Sequence, residues 1–272
     1  MSVYYKENSF YLDECLKSLS EQTHPADEII CVKDGRLTPA LDAVLEKWKR
    51  LLPLKIVGYE QNKGLAYALN LGMRYCSGDL IARTDTDDQC HPERFKEQLD
   101  FFSEHPETVL LGTGILERYY DTNVPIYEKE RFYSDHISRY SVVLYKGTPV
   151  GHPTVIIKKE LLQKYLYSEN VGCNEDIDLW FRILTDGYEI RNIQKCLYFQ
   201  RFDRFAFQRR NYRKSLNEYK IYTTQLYKMN GFSFRLVFPI LRFLSRLLPE
   251  RANRWLYLSN FRTRLFKDKE KE

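Results

Sequence analysis

Residues 79–88 read DLIARTDTDD, in which an apolar strand pattern runs directly into an acidic turn. Residues 79–84 contain the short apolar run of a buried β-strand. Three carboxylates, those of Asp85, Asp87 and Asp88, follow the strand at once. Because the ligands of open α/β sheets bind at the carboxyl ends of the strands, we expect this acidic turn to belong to a binding site.

Strand and helix patterns alternate on both sides of this stretch. Short apolar runs predict further strands over residues 27–33, 54–59, 108–116 and 154–157. Helical spacing of apolar residues predicts helices ending near residue 23, over residues 41–50 and 65–73, after residue 91, and between residues 174 and 187. This order predicts an α/β fold with a doubly wound, mixed but mainly parallel sheet and flanking helices. Residues 117–147 match neither pattern, so we expect a long loop or an insertion there.

Charge divides the chain into two parts. Residues 201–272 contain 18 Lys and Arg against 6 Asp and Glu, whereas residues 1–200 contain 24 against 31. The pattern is helical throughout from about residue 207. We therefore predict a catalytic domain over residues 1–205 and a basic, amphipathic helical tail over residues 206–272. A basic tail on an acidic body indicates an anionic partner, either a membrane surface or a nucleic acid.

Composition excludes several classes of protein. With 272 residues, 43% of them apolar and 29% charged, the chain is too apolar for a disordered protein and too balanced for a histone-like one. The six cysteines lack CxxC spacing, which disfavours a zinc cluster and a disulfide framework. Neither a signal peptide nor an apolar run of about 18 residues is present in this sequence, so a cytoplasmic protein is expected.

The acidic turn has the composition of a site for a divalent cation. Crowded carboxylates raise one another's pKa unless a cation neutralises them, and their hard oxygens select Mg²⁺ or Mn²⁺. A solvated turn that caps the next helix is the alternative. A phosphatase nucleophile motif is excluded because Gln89 stands where Thr or Val is required, and a calcium loop would need further ligands and a glycine.

Four further motifs, the last in two parts, stand in a fixed order around this turn. They are SVYY at residues 2–5 with SEQT at 20–23, KDG at 33–35, NKGL at 62–65, ED at 175–176 and LWFR at 179–182. With the acidic turn they resemble the inverting family-two glycosyltransferases of GT-A fold over roughly residues 1–200, most of all bacterial enzymes that extend lipid-linked O-antigen, capsule or exopolysaccharide intermediates. The family has a full apolar strand before the tyrosine motif, where this sequence has only residues 1–3. A chain that starts at an internal methionine has this pattern, and we expect a short or incomplete first strand.

The resemblance implies roles for the residues around the nucleotide. Asp34 matches the acid that reads the uracil imide, and Tyr4 matches the aromatic side chain that lies against the base. Lys63 and Arg83 match basic positions near the nucleotide, where cations would balance a diphosphate. In the absence of the resemblance, the same residues would be a turn aspartate, an edge tyrosine and two surface charges.

The resemblance also implies the metal ligands and the proton acceptor. Asp85 and Asp87 would hold Mn²⁺ or Mg²⁺, with Asp85 also touching the ribose and Asp88 lying near the sugar. Asp176 matches the general base, with Glu175 and Asp178 as lesser candidates, although acids in a first helical turn are also stabilised by the helix dipole alone. His152, in the sequence GHPT, matches an acceptor-side loop; a lone histidine is more often structural.

We therefore expect a metal-dependent, inverting glycosyltransferase that moves a sugar from UDP-hexose or UDP-N-acetylhexosamine to a saccharide carried by a polyprenyl diphosphate. A non-catalytic protein that binds nucleic acid or membrane through its tail is one alternative. A nucleotidyltransferase is another, but residues 4–9, YYKENS, lack the glycine-rich basic loop of that class. On the preferred interpretation no nucleic acid is bound.

The tail predicts the site of membrane contact. Between residues 232 and 248, Leu236, Ile240, Phe243, Leu244 and Leu247 recur at intervals of three and four, and Arg235, Arg242 and Arg246 fall on another face. The helix should kink or restart at Pro239. We expect it to lie peripherally on the cytoplasmic face of the membrane, with the arginines at anionic headgroups. The alternative is that its leucines pack on the catalytic domain.

Overall fold

The computed structural model describes residues 1–121, 124–172, 174–203 and 212–247. Its strands are β1 (Ser2–Val3), β2 (Ile29–Asp34), β3 (Leu54–Tyr59), β4 (Leu80–Ala82), β5 (Gln89–Cys90), β6 (Leu110–Asp121), β7 (Val124–Arg131), β8 (His136–Ile137), β9 (Ile156–Lys158) and β10 (Ile190–Asp203). Its helices are α1 (Ser9–Ser20), α2 (Pro39–Lys49), α3 (Leu65–Tyr75), α4 (Arg94–Glu104), α5 (Val143–Lys146), α6 (Lys159–Lys164), α7 (Glu175–Thr185), α8 (Tyr212–Asn230) and α9 (Val237–Arg246).

The strands form two hydrogen-bonded sheets. The first is parallel and has the order β1–β2–β3, and the second has the order β4–β9–β6–β10–β5, with β7 on β6 and β8 on β10. In the second sheet β6 and β10 run parallel, and the other pairs are antiparallel. The prediction of a mixed α/β sheet with flanking helices is confirmed. Strands β5, β7, β8 and β9 supply the antiparallel pairs, and the longest ladder, between β6 and β10, is parallel.

Besides a small cluster of Ile30, Val32 and Ala68, two large apolar cores lie against the sheets. One joins α1, α2 and α4 to the first sheet and includes Leu16, Leu45 and Phe95. The other joins α3 and α7 to the tail helix α8 and includes Trp180 and Tyr222. Since α8 contributes to the second core, this helix packs together with α3 and α7.

The long strand β10 was not predicted from the sequence. Its pairing with β6 shifts register between Ile193 and Cys196 and again between Cys196 and Tyr198. Such bulges break the period-two alternation by which a strand is recognised. The described residues of 117–147, for which a loop or insertion was expected, include the end of β6, the antiparallel strand β7, β8 and α5.

The tail is helical, as predicted, but its arginines are placed differently. A short 3₁₀ turn over Phe234–Leu236 leads into α9, which restarts with Pro239 in its first turn, where a missing N–H costs nothing. Arg242 and Arg246 turn inward and form ion pairs with Glu218 of α8. The expectation that these two arginines face headgroups is therefore wrong, because a buried carboxylate attracts them.

The apolar residues of α9 and of the turn before it divide between two faces. Leu236 and Phe238 pack against the core, and Phe243 lies 5.4 Å from the ring of Tyr219. The exposed apolar residues of this region are Phe232, Phe234, Val237, Ile240, Leu241, Leu244 and Leu247. Within the described ranges, no helix combines the length and the apolarity needed to cross a membrane. The predicted domain boundary at residues 205 and 206, and residues 248–272 of the tail, lie outside the described residues.

Candidate active site

The acidic turn after β4 brings three carboxylates together. Ligand oxygens of Asp85, Asp87 and Asp88 all lie within 4.8 Å of one another. Asp88 is 3% exposed, and its pKa is raised well above the ordinary value by burial and by the charges of Asp87 and Asp85. Carboxylates at this spacing repel one another, and a divalent cation would relieve the repulsion. The donor set therefore fits Mg²⁺ or Mn²⁺.

Strand β10 holds this turn in place. The backbone N–H of Asp85 donates to the Tyr198 hydroxyl at 3.0 Å, and the same hydroxyl shares a hydrogen bond of 3.2 Å with Thr84 Oγ1. The backbone N–H of Arg201 donates to Asp88 Oδ1 at 2.8 Å. Sequence reasoning missed Tyr198 and Arg201, because they lie more than a hundred residues away on a strand that the pattern did not reveal.

Arg83 is the buried cation of the site. Its Nη2 forms an ion pair with Asp85, and its backbone oxygen accepts a hydrogen bond of 2.8 Å from Arg94 Nη2. Its Nε and Nη1 are buried and have no hydrogen-bond partner among the described residues. Buried donors are rarely left unsatisfied. The two atoms are therefore suited to an anion such as a diphosphate.

The first turn of α7 supplies the second pair of carboxylates. Burial and the neighbouring Asp176 raise the pKa of Glu175 to about 7. Burial likewise raises the pKa of Asp176 to about 6, against hydrogen bonds from the backbone that lower it. Arg83 acts on both carboxyl groups, and Asp85 acts on Glu175, so the two acidic sets share one electrostatic environment. A carboxylate with a pKa of 6 to 7 suits proton acceptance near neutral pH.

Asp178, the third candidate base, is bound to its neighbours. Its Oδ2 accepts hydrogen bonds from Arg182 Nε at 2.8 Å and from Ser168 Oγ at 2.6 Å. Gln225 Nε2 of α8 lies 3.4 Å from Oδ1. These contacts tie α7 to the loop before it and to α8, which is a structural role.

His152 is part of an aromatic group with Tyr167 and with Trp180 of α7. Its Nε2 shares a hydrogen bond of 2.9 Å with the Tyr167 hydroxyl, and its ring stands edge-on to Trp180 at 5.8 Å. Burial and then Arg83 lower the pKa of His152 well below its ordinary value, so the imidazole is neutral. Burial raises the pKa of Tyr167, with Asp176 and Glu175 adding to the effect. The side-chain amide of Asn70 fixes the Tyr167 backbone through two hydrogen bonds of 2.9 Å.

Asp34 organises the loop before α3. Its carboxylate accepts hydrogen bonds from the Tyr59 hydroxyl at 2.7 Å, Asn62 Nδ2 at 2.9 Å, and the backbone N–H groups of Lys63 at 2.7 Å and Gly64 at 3.1 Å. Gly64 has φ +91°, a conformation that favours glycine. A uracil imide would have to share one of these oxygens, so the structure adds a loop-forming role to the base contact predicted from the sequence.

Lys63 and Tyr4 follow strands β3 and β1, at the carboxyl end of the first sheet. The Lys63 ammonium lies 4.3 Å from the centre of the Tyr67 ring and 3.2 Å from its hydroxyl. Tyr4, which follows β1 directly, is 36% exposed and packs edge-on to Tyr5 at 6.0 Å. Both side chains are exposed and could contact a ligand bound at this end of the sheet.

The mixed sheet, the acidic turn after β4 and the flanking helices define the chain as a glycosyltransferase with a GT-A-like fold. It belongs to glycosyltransferase family 2, since the family described as "Glycosyl transferase family 2" matches residues 2–166. Enzymes of this family invert the anomeric centre. The family, the fold and the enzyme class predicted from the sequence are thereby confirmed.

Relatives and solved structures agree with this assignment. The chain is 35% identical over 269 residues to the amylovoran biosynthesis glycosyltransferase AmsE of Erwinia amylovora, with 94% of this chain and 96% of the relative covered. It is 31% identical over 260 residues to the UDP-Gal:alpha-D-GlcNAc-diphosphoundecaprenol beta-1,3-galactosyltransferase of Escherichia coli, with 94% and 93% covered. The fold is similar to that of S. aureus TarS at a TM-score of 0.64 and 21% identity, over 99% of this chain and 45% of that chain. The chain is thus a glycosyltransferase of polysaccharide biosynthesis.

Proposed function

We propose that the protein is a metal-dependent hexosyltransferase that moves a sugar from a UDP donor to a saccharide on a polyprenyl diphosphate. The observation that carries this proposal is the convergence of two acidic sets on one buried arginine. Arg83 pairs with Asp85 and also acts on the pKa values of Glu175 and Asp176. The donor diphosphate needs the acidic turn with its metal, and the acceptor hydroxyl needs a carboxylate of α7 close to it.

The proposed mechanism is a single displacement. Asp176 accepts the proton of the acceptor hydroxyl as its oxygen attacks the anomeric carbon, and Glu175 is the alternative acceptor. Asp85 and Asp87 would hold a divalent ion, which supplies charge stabilisation for the leaving UDP. Arg83 binds the same diphosphate through its unsatisfied donors. Attack from the face opposite the leaving group inverts the anomeric centre, so a UDP α-sugar gives a β linkage.

The other predicted side chains are assigned to binding. Asp34, Tyr4 and Lys63 bind the nucleotide at the carboxyl end of the first sheet. Asp88 anchors the acidic turn beside the sugar. His152, neutral and paired with Tyr167, lies on the acceptor side. The E. coli relative is named for UDP-Gal and for an undecaprenol-linked acceptor, which supports a UDP sugar and a lipid-linked saccharide here.

The tail is assigned to the membrane that would present such an acceptor. Phe234 is 89% exposed and Phe232 is 77% exposed, next to the exposed face of α9. Arg242 and Arg246 are bound to Glu218, so the exposed apolar side chains would make the main contact with the membrane. The exposed Arg235 would bind anionic headgroups. We therefore place the enzyme peripherally on the cytoplasmic face, with residues 1–205 as the catalytic domain and residues 206–272 as the tail.

A donor screen tests the catalytic part of the proposal. The purified chain is incubated with Mn²⁺ and a panel of nucleotide sugars, and release of the nucleoside diphosphate by hydrolysis is measured. Release from a UDP-hexose or UDP-N-acetylhexosamine is expected. Release from GDP or dTDP sugars alone would contradict the assignment of the nucleotide.

A further inference from the structure

Arg94, the first residue of α4, carries a positive charge that is entirely buried. No carboxylate among the described residues forms an ion pair with it. A buried charge without an opposite partner is costly, and an apolar side chain of similar size would serve better where only packing is needed. The charge of Arg94 therefore indicates a task beyond the packing of the core.

Neutral groups accept the hydrogen bonds of this guanidinium. Nη2 donates to the backbone oxygen of Arg83 at 2.8 Å, Nη1 donates to Cys90 Sγ at 3.1 Å, and Nε donates to Gln98 Oε1 at 3.1 Å. Arg83 precedes the three aspartates of the acidic turn, and Cys90 follows them in β5. One side chain thus joins the two ends of the segment that carries the carboxylates.

The same guanidinium contacts the groups that hold the turn from inside. It lies 5.2 Å from the centre of the Tyr198 ring, whose hydroxyl binds the N–H of Asp85 and the hydroxyl of Thr84. A cation at this distance is attracted to the ring and restricts its movement. Cys90 Sγ, which the guanidinium also binds, lies 3.8 Å from Thr84 Oγ1. Arg94 therefore supports the position of Asp85 through two separate side chains.

Gln98 fixes the guanidinium relative to the second sheet. Gln98 is also fully buried, and its Nε2 donates to Leu111 O of β6 at 3.1 Å and to Thr154 O at 3.0 Å. Thr154 belongs to the short 3₁₀ turn that carries His152. The bridge across the acidic turn is thus anchored on β6 and on the turn of His152.

We propose that Arg94 is a positioning residue of the metal site, which holds the ends of residues 83–90 together so that Asp85 and Asp87 stand at ligand distance before the ion binds. The inference rests on the metal site of the proposed function. Because the three carboxylates repel one another, a metal-free turn without this bridge would spread apart. Ligands that are already in place bind an ion more tightly, since less freedom is lost on binding.

Arginine suits this position better than lysine. Its planar fork presents donors in fixed directions, so that Arg83 O and Cys90 Sγ are bound at once, whereas the single ammonium group of a lysine would reach one of them. The bridge depends on this geometry as well as on the charge. Arg94→Lys should therefore lose most of the positioning effect although it keeps the charge.

Arg94→Met and its matched control Phe102→Leu test the proposal in the full chain. Phe102 is buried about 12 Å further along the same helix, so its replacement loosens α4 without breaking the bridge. In metal-free protein, amide exchange is measured at Asp85 and Arg201, whose N–H groups hold the turn to β10. We expect exchange at least about tenfold faster in Arg94→Met than in the control. The affinity for Mn²⁺ with UDP present, read by electron paramagnetic resonance, should fall roughly 10–100-fold.

If either quantity in Arg94→Met equals that in Phe102→Leu, the proposal is overturned. If Arg94→Met does not fold, Arg94→Lys takes its place with the same expectations, and loss of the fold in both would assign Arg94 to folding and overturn the proposal. Asp87→Asn separates this inference from the proposed function. Mn²⁺ binding that survives Asp87→Asn would contradict the metal site and this inference together. Mn²⁺ binding that Asp87→Asn removes and Arg94→Met leaves intact would overturn the role of Arg94 alone.

Discussion

Replacement of Asp176 by Asn should make the protein more stable and almost inactive. The folded pKa of Asp176 is about 6, against an ordinary value of 3.8, because burial disfavours its charge. At about 1.4 kcal/mol for each pH unit, ionising this group above pH 6 costs the folded state up to about 3 kcal/mol. Water that reaches the carboxylate from the cleft reduces this figure. We therefore expect Asp176→Asn to gain about 1–3 kcal/mol at pH 8, a rise in melting temperature of roughly 3–8 °C.

The sign of the pH dependence follows from the same shift. Because a raised carboxyl pKa favours the protonated folded state, the gain from Asp176→Asn is present above pH 6 and disappears as the pH falls toward 3.8. Proton acceptance requires the ionised form, so turnover of the unmodified enzyme should fall about tenfold per pH unit below about 6. In the variant, turnover at pH 8 should fall by roughly 10²–10⁴.

The assay combines thermal unfolding with UDP release between pH 5 and pH 8. Glu175→Gln is the matched control, since burial also raises the pKa of Glu175, to about 7. It should likewise gain stability, but it should retain more turnover than Asp176→Asn. Normal turnover of Asp176→Asn would contradict the assignment of Asp176 as the base. Calorimetry in which UDP affinity is lost together with activity would contradict it too. In the second case Glu175 becomes the better candidate for the base.

Four other outcomes are expected. Asp87→Asn should abolish transfer without loss of fold, because it relieves repulsion within the acidic turn, and EDTA should act alike; normal transfer by metal-free enzyme would contradict this. Asp34→Ala should weaken UDP binding more than Mn²⁺ binding in calorimetry, and an unchanged UDP affinity would refute the nucleotide role. Tyr198→Phe should cost about 1–3 kcal/mol in denaturant unfolding and raise the Mn²⁺ requirement, because the N–H of Asp85 loses its acceptor; an unchanged metal requirement would leave Tyr198 a purely structural role. The full chain should co-sediment with anionic vesicles, less so at high salt, and Leu244→Asp should reduce binding roughly tenfold; a chain that ignores such vesicles at low salt would contradict the membrane assignment.

The acidic turn and the first turn of α7 could be predicted because their signals are local. Asp85 to Asp88 follow a short apolar strand, and Glu175 and Asp176 precede a clear helical stripe. The proximity of these two acidic sets is a property of the fold. It became an expectation only through the resemblance to a known family.

The residues that hold the site in place could not be predicted because they are far from it in the sequence. Tyr198 reaches the turn from a bulged strand whose pattern is irregular. The four hydrogen bonds to Asp34 come from residues on β3 and the following loop, so the sequence alone shows only an aspartate before a glycine. The inward turn of Arg242 likewise depends on Glu218, a residue on another helix.

The central claim is transfer by inversion from a UDP sugar to a lipid-linked saccharide. The most direct test is one transfer reaction with Mn²⁺, the UDP sugar found in the donor screen, and a GlcNAc-diphosphate-polyprenol acceptor, with the anomeric configuration of the product read by NMR. We expect a β linkage from a UDP α-sugar, formed by the unmodified chain and absent with Asp87→Asn and Asp176→Asn. An α-linked product, or equal product from the unmodified chain and both variants, would contradict it.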